Sequence, residues 1–395
     1  MAGKNVVLGV TGGIAAYKSL DIVSTLRKMG INVYVIMTKN AEEFVRPLSF
    51  QSLSHNLVYD DMFGELKEFD INHISLAKKA DILVVAPATY NIIGKVASGI
   101  CDDLLSTTIA ATKAPVYFAL AMNTNMLENP ILQGNINKLK NLGYNFIESA
   151  EGVLACGDTG RGKLADTKLI CDIIACRLYP KKDYAGKNIL ITAGPTISPI
   201  DPVRYITNYS SGKMGYSLAK EARDRGGNVT LVSGPNSLED IYGVETIKIK
   251  TNEDMYGAVK KYIDKCHIYI SAAAVADYKV KTYSKEKIKK TGDTLTIDFE
   301  KDKDILYEMG KNKKNQIFVG FAAESSNILE NAVIKIKRKN LDFIVANDIT
   351  KEDTGFASDY NSVMIIDKNG NVTEVSKDKK SNISAILFDI ISKGA

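Results

Sequence analysis

A pattern of apolar run, glycine turn, helical segment and second apolar run occurs twice in this chain and restricts its fold more than any other feature. The first copy covers residues 5–37, with Gly12 and Gly13 in its turn, and the second covers residues 188–233, with Gly194 in its turn. Two parallel strands joined by a right-handed helical crossover produce this pattern. The sequence therefore predicts an α/β protein with two doubly wound, Rossmann-like parallel sheets.

Further apolar runs extend both predicted sheets. They lie at 82–86, 116–119, 268–274, 317–321, 343–346 and 363–366. The periodicity stops around 179–186, where proline, glycine and charged residues cluster. A chain of 395 residues also exceeds the ~250 residues at which one hydrophobic core usually stops growing. We therefore predict two domains, at residues 1–183 and 184–395.

Composition and charge exclude several classes of protein. Hydrophobic residues make up 45% and charged residues 25% of the chain, which excludes disorder as its main feature. The 51 basic and 46 acidic residues are interspersed and leave a net charge of +5, too little to indicate a nucleic-acid partner. No apolar run approaches the ~20 residues that span a bilayer, so we expect no membrane segment. Five cysteines without a Cys-x-x-Cys pair, three histidines and no recognisable signal peptide predict a reduced, cytoplasmic protein without a metal cluster.

The glycine turns raise the question of a nucleotide ligand. Open parallel sheets bind ligands at the carboxyl ends of their strands, where glycine turns let phosphates approach helix N-termini. The dinucleotide fingerprint G-x-G-x-x-G is missing, and Thr38-Lys39 and Ser233-Gly234 stand where an acid would bind a nicotinamide ribose. This disfavours an NAD-dependent reductase and favours a mononucleotide. A tight turn without any ligand explains the glycines equally well.

Five motifs follow one another in the first half of the chain. They are GGIAAYK at 12–18, NHISL at 72–76, APATYN at 86–91, AMNTNM at 121–126 and LACGDTGRGK at 154–163. In this order they resemble the flavin-containing cysteine decarboxylases, and among them the phosphopantothenoylcysteine decarboxylases.

The resemblance implies FMN as the cofactor and assigns roles to three residues. In this family the cysteinyl thiol is oxidised by FMN before carbon dioxide leaves, and the product is then reduced and protonated. His73 matches the active-site base, Asn123 the amide that holds the substrate carboxylate, and Cys156 the final proton donor. The positions that match FMN contacts are Gly12, Gly13, Ile14, Thr38, Ala88, Thr89 and Asn91.

The segment around Cys156 has its own pattern. Gly157, Gly160 and Gly162 predict a flexible loop, which suits a lid over an active site. The departures from the family pattern in this half are Leu120, Leu127 and Lys163, where a proline, a tryptophan and an arginine are usual, and Tyr90 and Ile92, where small or hydroxylated residues are usual.

The second half carries another set of motifs. They are ITAGPT at 191–196, IDPVRYITNYSSGKMG at 200–215, AAAVADY at 272–278, KIKK at 287–290, GFAAE at 320–324 and KNLD at 339–342. Over nearly all of 187–390 they are similar to the bacterial, CTP-using phosphopantothenate–cysteine ligases. The residues themselves agree, because hydroxyls, backbone amides and an ammonium at 210–213 precede a helix and suit a phosphate chain. For most single lysines in these motifs, a solvated basic surface is the simpler interpretation.

This resemblance implies that the pantothenate carboxylate is activated as an acyl-cytidylate, with Mg²⁺ on the CTP phosphates. Asn208 matches the residue that holds the acyl-cytidylate, and Lys287 the residue that serves its conversion. No residue is assigned to the metal. The positions that match CTP contacts are Ser210, Ser211, Gly212, Lys213, Ser271, Ala272, Ala273, Asp277, Lys287, Lys303, Asp304, Ile305, Leu306, Phe321, Lys335 and Lys339. The departures here are Ser198 and Lys303, which replace an acid and a proline.

Together the two resemblances imply a flavodoxin-like flavoprotein domain followed by a ligase domain, with consecutive activities in coenzyme A biosynthesis. The substrates would be the small molecules 4′-phosphopantothenate, cysteine and CTP, and the ligase half would make the substrate of the decarboxylase half. The families also imply a homo-oligomer, in which decarboxylase trimers and ligase dimers combine as a dodecamer. The competing hypothesis is a non-enzymatic FMN-binding regulator, because some relatives of the first half bind and inhibit a phosphatase.

Overall fold

The computed structural model describes residues 3–63, 71–153, 157, 159–290, 293–324, 328–348 and 358–394. The chain forms two compact units, Met1–Pro180 and Lys181–Ala395. Each unit is built around one large sheet, and we describe each by itself.

The first unit alternates strands and helices along the chain. Its strands are β1 (Asn5–Val10), β2 (Asn32–Met37), β3 (Val58–Tyr59), β4 (Ile82–Ala88), β5 (Val116–Leu120), β6 (Asn145–Ile147), β7 (Ala150–Val153) and β8 (Thr159–Lys163). Its α-helices are α1 (Ser19–Lys28), α2 (Lys39–Glu42), α3 (Pro47–Ser54), α4 (Asn72–Lys79), α5 (Tyr90–Ser98), α6 (Leu104–Ala111), α7 (Thr124–Glu128), α8 (Pro130–Asn141) and α9 (Thr167–Leu178), and a 3₁₀-helix covers Ile14–Lys18.

The main sheet of the first unit is entirely parallel, with the strand order β3-β2-β1-β4-β5-β6. This is the Rossmann order, and without the two-residue β3 it is also the order of flavodoxin-like sheets. The direction of winding reverses between β1 and β4, which makes the carboxyl ends of these two strands the expected place for a ligand. β7 and β8 form a separate antiparallel hairpin.

Two hydrophobic clusters cover the faces of this sheet. Val6 and Leu8 belong to one cluster with Ile22 of α1, whereas Val7 belongs to the other with Leu105 of α6. Successive side chains of a strand point to opposite faces, so an unbroken apolar run such as β1 contributes to both clusters. The run that the sequence predicts at 82–86 is accordingly buried along all of β4.

The second unit also begins with a strand, a helix and a second strand, but a short hairpin lies between its first strand and its first helix. Its strands are β9 (Asn188–Ala193), β10 (Ile197–Pro199), β11 (Tyr205–Thr207), β12 (Asn228–Ser233), β13 (Glu245–Lys248), β14 (Ile268–Ser271), β15 (Tyr278–Val280), β16 (Phe299–Lys301), β17 (Ile317–Glu324), β18 (Phe343–Asp348), β19 (Tyr360–Asp367) and β20 (Val372–Lys379). Its α-helices are α10 (Lys213–Asp224), α11 (Asn252–Tyr262), α12 (Ile305–Lys311), α13 (Ile328–Lys339) and α14 (Lys380–Gly394), and a 3₁₀-helix covers Ile263–Lys265.

The main sheet of the second unit has eight strands in the order β13-β12-β9-β14-β17-β18-β19-β20. The first six are parallel and repeat the Rossmann order, and β19 and β20 continue the sheet in the antiparallel sense. β20 forms one edge and carries several exposed charged side chains. Two short hairpins, β10–β11 and β15–β16, lie outside the main sheet.

The boundary between the units lies between Pro180 and Lys181, three residues before the one that the sequence predicts. Lys181 belongs to the second unit because its Nζ lies 2.7 Å from Asp389 on α14. Asp183 accepts hydrogen bonds from the guanidinium of Arg225, whose side chain is 1% exposed. Charged residues that look like a solvated linker in the sequence are therefore bound to the second unit.

The α/β class and the two doubly wound sheets predicted from the sequence are confirmed. The antiparallel end of the second sheet and the exposed hairpins go beyond that prediction. None of the described helices combines the length and the apolar character needed to cross a bilayer.

Candidate functional sites

A cavity of about 1170 Å³ opens at the carboxyl ends of four neighbouring strands in the first unit. It is lined by Thr11, Thr38, Thr89 and Ala121, the residues that directly follow β1, β2, β4 and β5. The cavity thus lies where the winding of the sheet reverses, as expected for a ligand site in an open parallel sheet.

Hydroxyl groups fix the turn after β1 against the end of β4. Thr11 Oγ1 donates to the carbonyl oxygen of Pro87 at 2.7 Å and lies 3.2 Å from Thr89 Oγ1. Ser19 Oγ donates to the carbonyl oxygen of Ala86 at 2.6 Å. These bonds hold one wall of the cavity in place before any ligand binds.

The two glycines of this turn have different reasons to be glycine. A Cβ on Gly12 would overlap the side chain of Asn40, so close packing alone requires glycine there. Among the described residues, the atom nearest to a Cβ placed on Gly13 is Thr89 Cγ2, at 3.5 Å. Packing therefore accounts for Gly12, whereas Gly13 lines the cavity with room beside it.

Thr38 lines the cavity, and its hydroxyl has no hydrogen-bond partner among the described residues. Its hydroxyl is buried and makes no hydrogen bond among the described residues, and its side chain does not cap the helix α2 that follows. A buried hydroxyl without a partner costs about 1–3 kcal/mol, which a polar ligand atom would relieve. Apolar side chains such as Ile14, Ile92 and Met122 line the same cavity. This combination of polar and apolar groups fits a flavin mononucleotide.

The cavity also contains an ion cluster that was not predicted from the sequence. Lys95 Nζ lies 2.7 Å from Asp102 and 2.9 Å from Asp103, and all three residues line the cavity. Burial alone would raise the pKa of Asp103, but the N–H of Ser106 and the Lys95 ammonium outweigh it and hold the pKa below its ordinary value. Asp103 and Ser106 have the spacing of a capping box, which they form at the start of α6. This spacing is the sequence feature that could have drawn attention to Asp103.

Most positions that match FMN contacts line the cavity. Those that do are Gly12, Gly13, Ile14, Thr38, Thr89 and Asn91, together with Asn123. Ala88 is fully buried in β4, away from the lining, and its carbonyl oxygen accepts the N–H of Ala121 at 3.1 Å. His73 lies on α4 and is not among the described residues that line the cavity. Cys156 lies outside the described residues.

The prediction of a flexible loop is wrong for Gly160 and Gly162. Both lie on β8, which pairs with β7 in a hairpin. A Cβ on Gly162 would overlap the carbonyl of Met122, and one on Gly160 would lie 2.6 Å from Thr124 Oγ1. The Thr124 hydroxyl also donates to the carbonyl oxygen of Arg161 at 2.7 Å. These glycines are required by close packing against a wall of the cavity.

In the second unit, predicted ligase residues meet at the carboxyl ends of β9 and β14. The carbonyl oxygen of Gly194 accepts the N–H of Ala274 at 2.9 Å, and Asn208 Nδ2 donates to the carbonyl oxygen of Ala274 at 3.0 Å. Gly212 precedes α10 with a left-handed φ of 78°, and a Cβ there would lie 3.5 Å from Gly194 Cα. Asn208, the turn at 210–213 and the segment after β14 therefore adjoin.

Several segments that match CTP contacts also adjoin. The N–H of Asp302 donates to the carbonyl oxygen of Asp277 at 2.9 Å. Asp304 caps α12 by accepting the N–H of Tyr307 at 3.1 Å, and Lys339 Nζ lies 2.9 Å from the same carboxylate. The structure thus brings Asp277, Asp304 and Lys339 to one region.

Strand pairing places the remaining members of this set. Ser271, at the end of β14, is in register with Gly320, so the segment that continues into Ala272 and Ala273 lies beside Phe321. The buried Ile305 and Leu306 begin α12, and the half-buried Lys335 lies on α13.

Two further lysines of the predicted CTP set are, like Lys339, held by carboxylates. Lys303 Nζ lies 2.9 Å from Glu253 and 4.6 Å from the centre of the Tyr256 ring. Lys213 Nζ lies 2.6 Å from Asp359. Either lysine would have to exchange its carboxylate for phosphate oxygens in order to bind CTP through its ammonium group.

Lys287 is positioned through the backbone of its neighbour rather than through its own side chain. Its side chain is exposed, and the N–H of the next residue, Ile288, donates to Asp201 at 3.2 Å. No sequence pattern had singled out Asp201. In the described part of the chain, no group of three or more His, Cys, Asp or Glu side chains could hold a metal ion, and Mg²⁺ stays a prediction.

Two family models match the chain. The flavoprotein family matches residues 1–179, and the DNA/pantothenate metabolism flavoprotein C-terminal domain matches residues 184–394. The chain is thus of the class in which a flavoprotein domain precedes this C-terminal domain.

Relatives cover nearly the whole chain. The coenzyme A biosynthesis bifunctional protein CoaBC of Borreliella burgdorferi is 45% identical over 98% of this chain and 99% of its own length. That of Bacillus subtilis is 45% identical over 99% of this chain and 96% of its own length. A crystal structure of the C-terminal domain of a CoaBC protein, with 38% identity and a TM-score of 0.47, covers 54% of this chain and 97% of that domain. The chain belongs to the family of coenzyme A biosynthesis bifunctional proteins.

Proposed function

We propose that the second unit joins cysteine to 4′-phosphopantothenate with CTP, and that the first unit decarboxylates the resulting 4′-phosphopantothenoylcysteine to 4′-phosphopantetheine with FMN. The activities would belong to residues 184–395 and 1–183. The observation that carries the proposal is the cavity at the carboxyl ends of β1, β2, β4 and β5, where Thr38 lacks a partner among the described residues. Full-length relatives in coenzyme A biosynthesis support the pairing of the two activities.

In the first unit, FMN when bound would supply the oxidation of the substrate thiol and the later return of a hydride. Thr38, Thr89 and Asn91 are the polar residues that would hold it, and the apolar lining would keep water from the reacting thiol. The N–H of Asn125 donates to Asn123 Oδ1 at 2.9 Å. This bond occupies the oxygen of the Asn123 carboxamide, and in this proposal its NH₂ group would donate to the substrate carboxylate.

His73 is the proposed base of the decarboxylation, and Cys156 is the proposed proton donor. His73 is not among the described residues that line the cavity of its own chain. A homo-oligomer in which a neighbouring copy completes the site would account for this position. The trimers, dimers and dodecamer implied by the families are part of this proposal.

In the second unit, Ser210, Ser211 and Lys213 at the start of α10 would bind the CTP phosphates, with Mg²⁺ neutralising part of their charge. The pantothenate carboxylate would attack the α-phosphate and release pyrophosphate. The amine of cysteine would then attack the acyl-cytidylate and release CMP. We assign the binding of this intermediate to Asn208 and its conversion to Lys287.

One incubation of the full chain with FMN, 4′-phosphopantothenate, cysteine, CTP and Mg²⁺ tests the proposal, with products identified by mass spectrometry. The wild type should yield 4′-phosphopantetheine, carbon dioxide, CMP and pyrophosphate. His73→Asn should stop at 4′-phosphopantothenoylcysteine. His55→Asn is the matched control, because His55 has a left-handed φ of 56°, which asparagine tolerates, and it should behave as the wild type.

Two results would contradict the proposal. Loss of both activities in a folded His73→Asn protein would rule out the division of labour between the units. Absence of every product from wild-type protein that retains FMN would favour the non-enzymatic flavin-binding regulator.

A further inference from the structure

The carboxylate of Asp201 joins two segments of the second unit, and its side chain is fully buried. Oδ1 accepts the N–H groups of Val203 and Arg204, each at 2.8 Å, within the turn that connects β10 to β11. Oδ2 accepts the N–H of Ile288 at 3.2 Å, directly beside Lys287. One oxygen therefore organises a turn, and the other holds a distant segment against that turn.

Neighbouring bonds reinforce this link. The N–H of Ser284 donates to the carbonyl oxygen of Ile200 at 3.0 Å. The guanidinium of Arg204 donates to the carbonyl oxygen of Ile288 at 3.4 Å and lies 3.6 Å from the Asp201 carboxylate. Residues 284–288 are thus tied at two points to the β10–β11 turn.

The carboxylate is ionised at neutral pH. Burial alone would raise the pKa of Asp201, but three backbone N–H donors and the Arg204 guanidinium outweigh burial and hold the pKa below its ordinary value. A charged oxygen is the stronger acceptor for an N–H group, which strengthens the bond to Ile288.

We propose that Asp201 is a positioning residue of the ligase reaction, which sets the place of Lys287 through the backbone of Ile288. This inference rests on the proposed role of Lys287 in the conversion of the acyl-cytidylate. Because Asp201 is buried, it acts through the chain rather than on CTP or cysteine. Its loss should therefore impair the chemical step more than the binding of CTP, since small misplacements of a catalytic group cost large factors in rate.

Asp201→Asn tests the proposal, because an amide keeps one oxygen for the β10–β11 turn but sets its NH₂ group opposite the N–H of Ile288. The kcat of ligation should fall by about tenfold to a hundredfold, and the KM for CTP should change by less than about threefold. Acyl-cytidylate should accumulate, which mass spectrometry would detect. Asp298→Asn, at an exposed aspartate beside β16, is the matched control and should ligate normally.

The double variant with Lys287→Gln decides whether Asp201 acts through Lys287. If it does, the double variant should be no slower than Lys287→Gln alone. Multiplied losses in the double variant, or an unchanged kcat in Asp201→Asn, would overturn the proposal. A wild-type kcat of ligation in Lys287→Gln would overturn the proposed role of Lys287. If Asp201→Asn nevertheless lowered this kcat, Asp201 would act by another route.

A second substitution covers the case in which Asp201→Asn does not fold. Asp201→Ser keeps a hydroxyl that can accept the N–H groups of the turn but has no second oxygen for Ile288. The decarboxylation of added 4′-phosphopantothenoylcysteine by the first unit reports whether the chain is intact. An Asp201→Ser protein that decarboxylates normally and ligates at the wild-type rate would reject the positioning role.

Discussion

At the scale of single residues, Thr38 combines burial of its hydroxyl with the lack of a partner in the described part of the chain. Such a group destabilises a protein that has no ligand, because the hydroxyl loses water and gains nothing in return. In a cavity lined by both polar and apolar residues, the same group can gain its hydrogen bond from a ligand. The cost in stability and the benefit in binding therefore have the same origin.

Thr38→Val should change these two quantities in opposite directions. Valine keeps the shape and removes the hydroxyl, so the free energy of unfolding without FMN should rise by up to about 1 kcal/mol. The Kd for FMN should rise by about threefold to tenfold, as for the loss of one hydrogen bond. Urea unfolding and the quenching of flavin fluorescence measure the two effects.

Thr38→Ser is the matched control for this experiment. It retains the hydroxyl, so its Kd for FMN should stay within about twofold of the wild type. A wild-type Kd for FMN in the valine variant would show that the Thr38 hydroxyl does not bind FMN.

Lys380 is a second residue whose environment opposes its charge. Its side chain is 6% exposed at the start of α14, and its Nζ donates to the carbonyl oxygen of Ser358 at 2.6 Å. Burial, and to a lesser extent the nearby Lys213 ammonium, lower the pKa of Lys380 to about 8, although Asp359 opposes both effects. The folded protein therefore releases this proton more readily than the unfolded chain, in which the pKa is 10.5.

The sign of the pH dependence follows from this difference. Below pH 8 the lysine is charged in both states, and the folded state bears the cost of burying an ammonium group. Between about pH 8 and 10.5 the folded protein gives up the proton while the unfolded chain keeps it, so the free energy of unfolding rises with pH. Lys380→Met removes this titration. The stability of the variant relative to the wild type should therefore decline as pH rises from 8 to 10, by about 1 kcal/mol after allowance for solvent screening.

Urea unfolding at several pH values measures this change. Lys379→Met, at the exposed neighbouring position, is the control and should show a constant difference from the wild type. A constant difference for Lys380→Met as well would contradict the depressed pKa.

At the scale of elements, the β7–β8 hairpin owes its position to a backbone contact. The carbonyl oxygen of Gly162 accepts the N–H of Met122 at 2.9 Å, and no side chain fits between them. Met122 lines the cavity together with Val153 of β7 and with Gly162 and Lys163 of β8, so the hairpin forms part of the cavity wall.

Gly162→Ala should separate the hairpin from this wall. The new methyl group would overlap the Met122 carbonyl at a left-handed φ of 133°, and the free energy of unfolding should fall by more than about 2 kcal/mol. Decarboxylation should fall with it while ligation is retained, as measured by urea unfolding and product analysis.

Gly157→Ala separates the effect of the overlap from that of the backbone conformation. Gly157 also has a left-handed φ, of 91°, but no atom of the described residues lies within 4 Å of a Cβ placed there. Its substitution should cost only about 1 kcal/mol. An equal fall in the free energy of unfolding of the two variants would show that the structure relieves the overlap with Met122 at no further cost in stability.

Buried strands were predictable from the sequence, and exposed strands were not. The apolar runs that begin the two copies of the pattern, at residues 5 and 188, form β1 and β9, because a strand buried on both faces must be continuously apolar. β15 and β20 pair through their backbones while most of their side chains are exposed, so their sequences carry little apolar pattern. The run at 268–274 was too long as a strand, since β14 ends at Ser271.

At the scale of the whole molecule, the positions of the two sites were predictable from the sequence, whereas the contacts that support those sites were not. Glycine turns and family motifs identified the carboxyl ends of β1 and β9, and six of the seven predicted FMN positions line one cavity. The sequence did not identify Lys95 with its two aspartates, or Asp201. Their roles depend on bonds between segments that lie apart in the chain, and no local pattern records which segments meet.

The edge of the eight-stranded sheet has a consequence for how this protein behaves at high concentration. A strand at an edge offers unpaired N–H and C=O groups to any other chain, which makes it a template for aggregation. β20 ends in Lys377, Asp378 and Lys379, with Glu374 exposed earlier on the same strand. A second chain pairing there would have to strip water from these charges. The charged edge thus protects the second unit against strand-by-strand association while the protein is crowded with copies of itself.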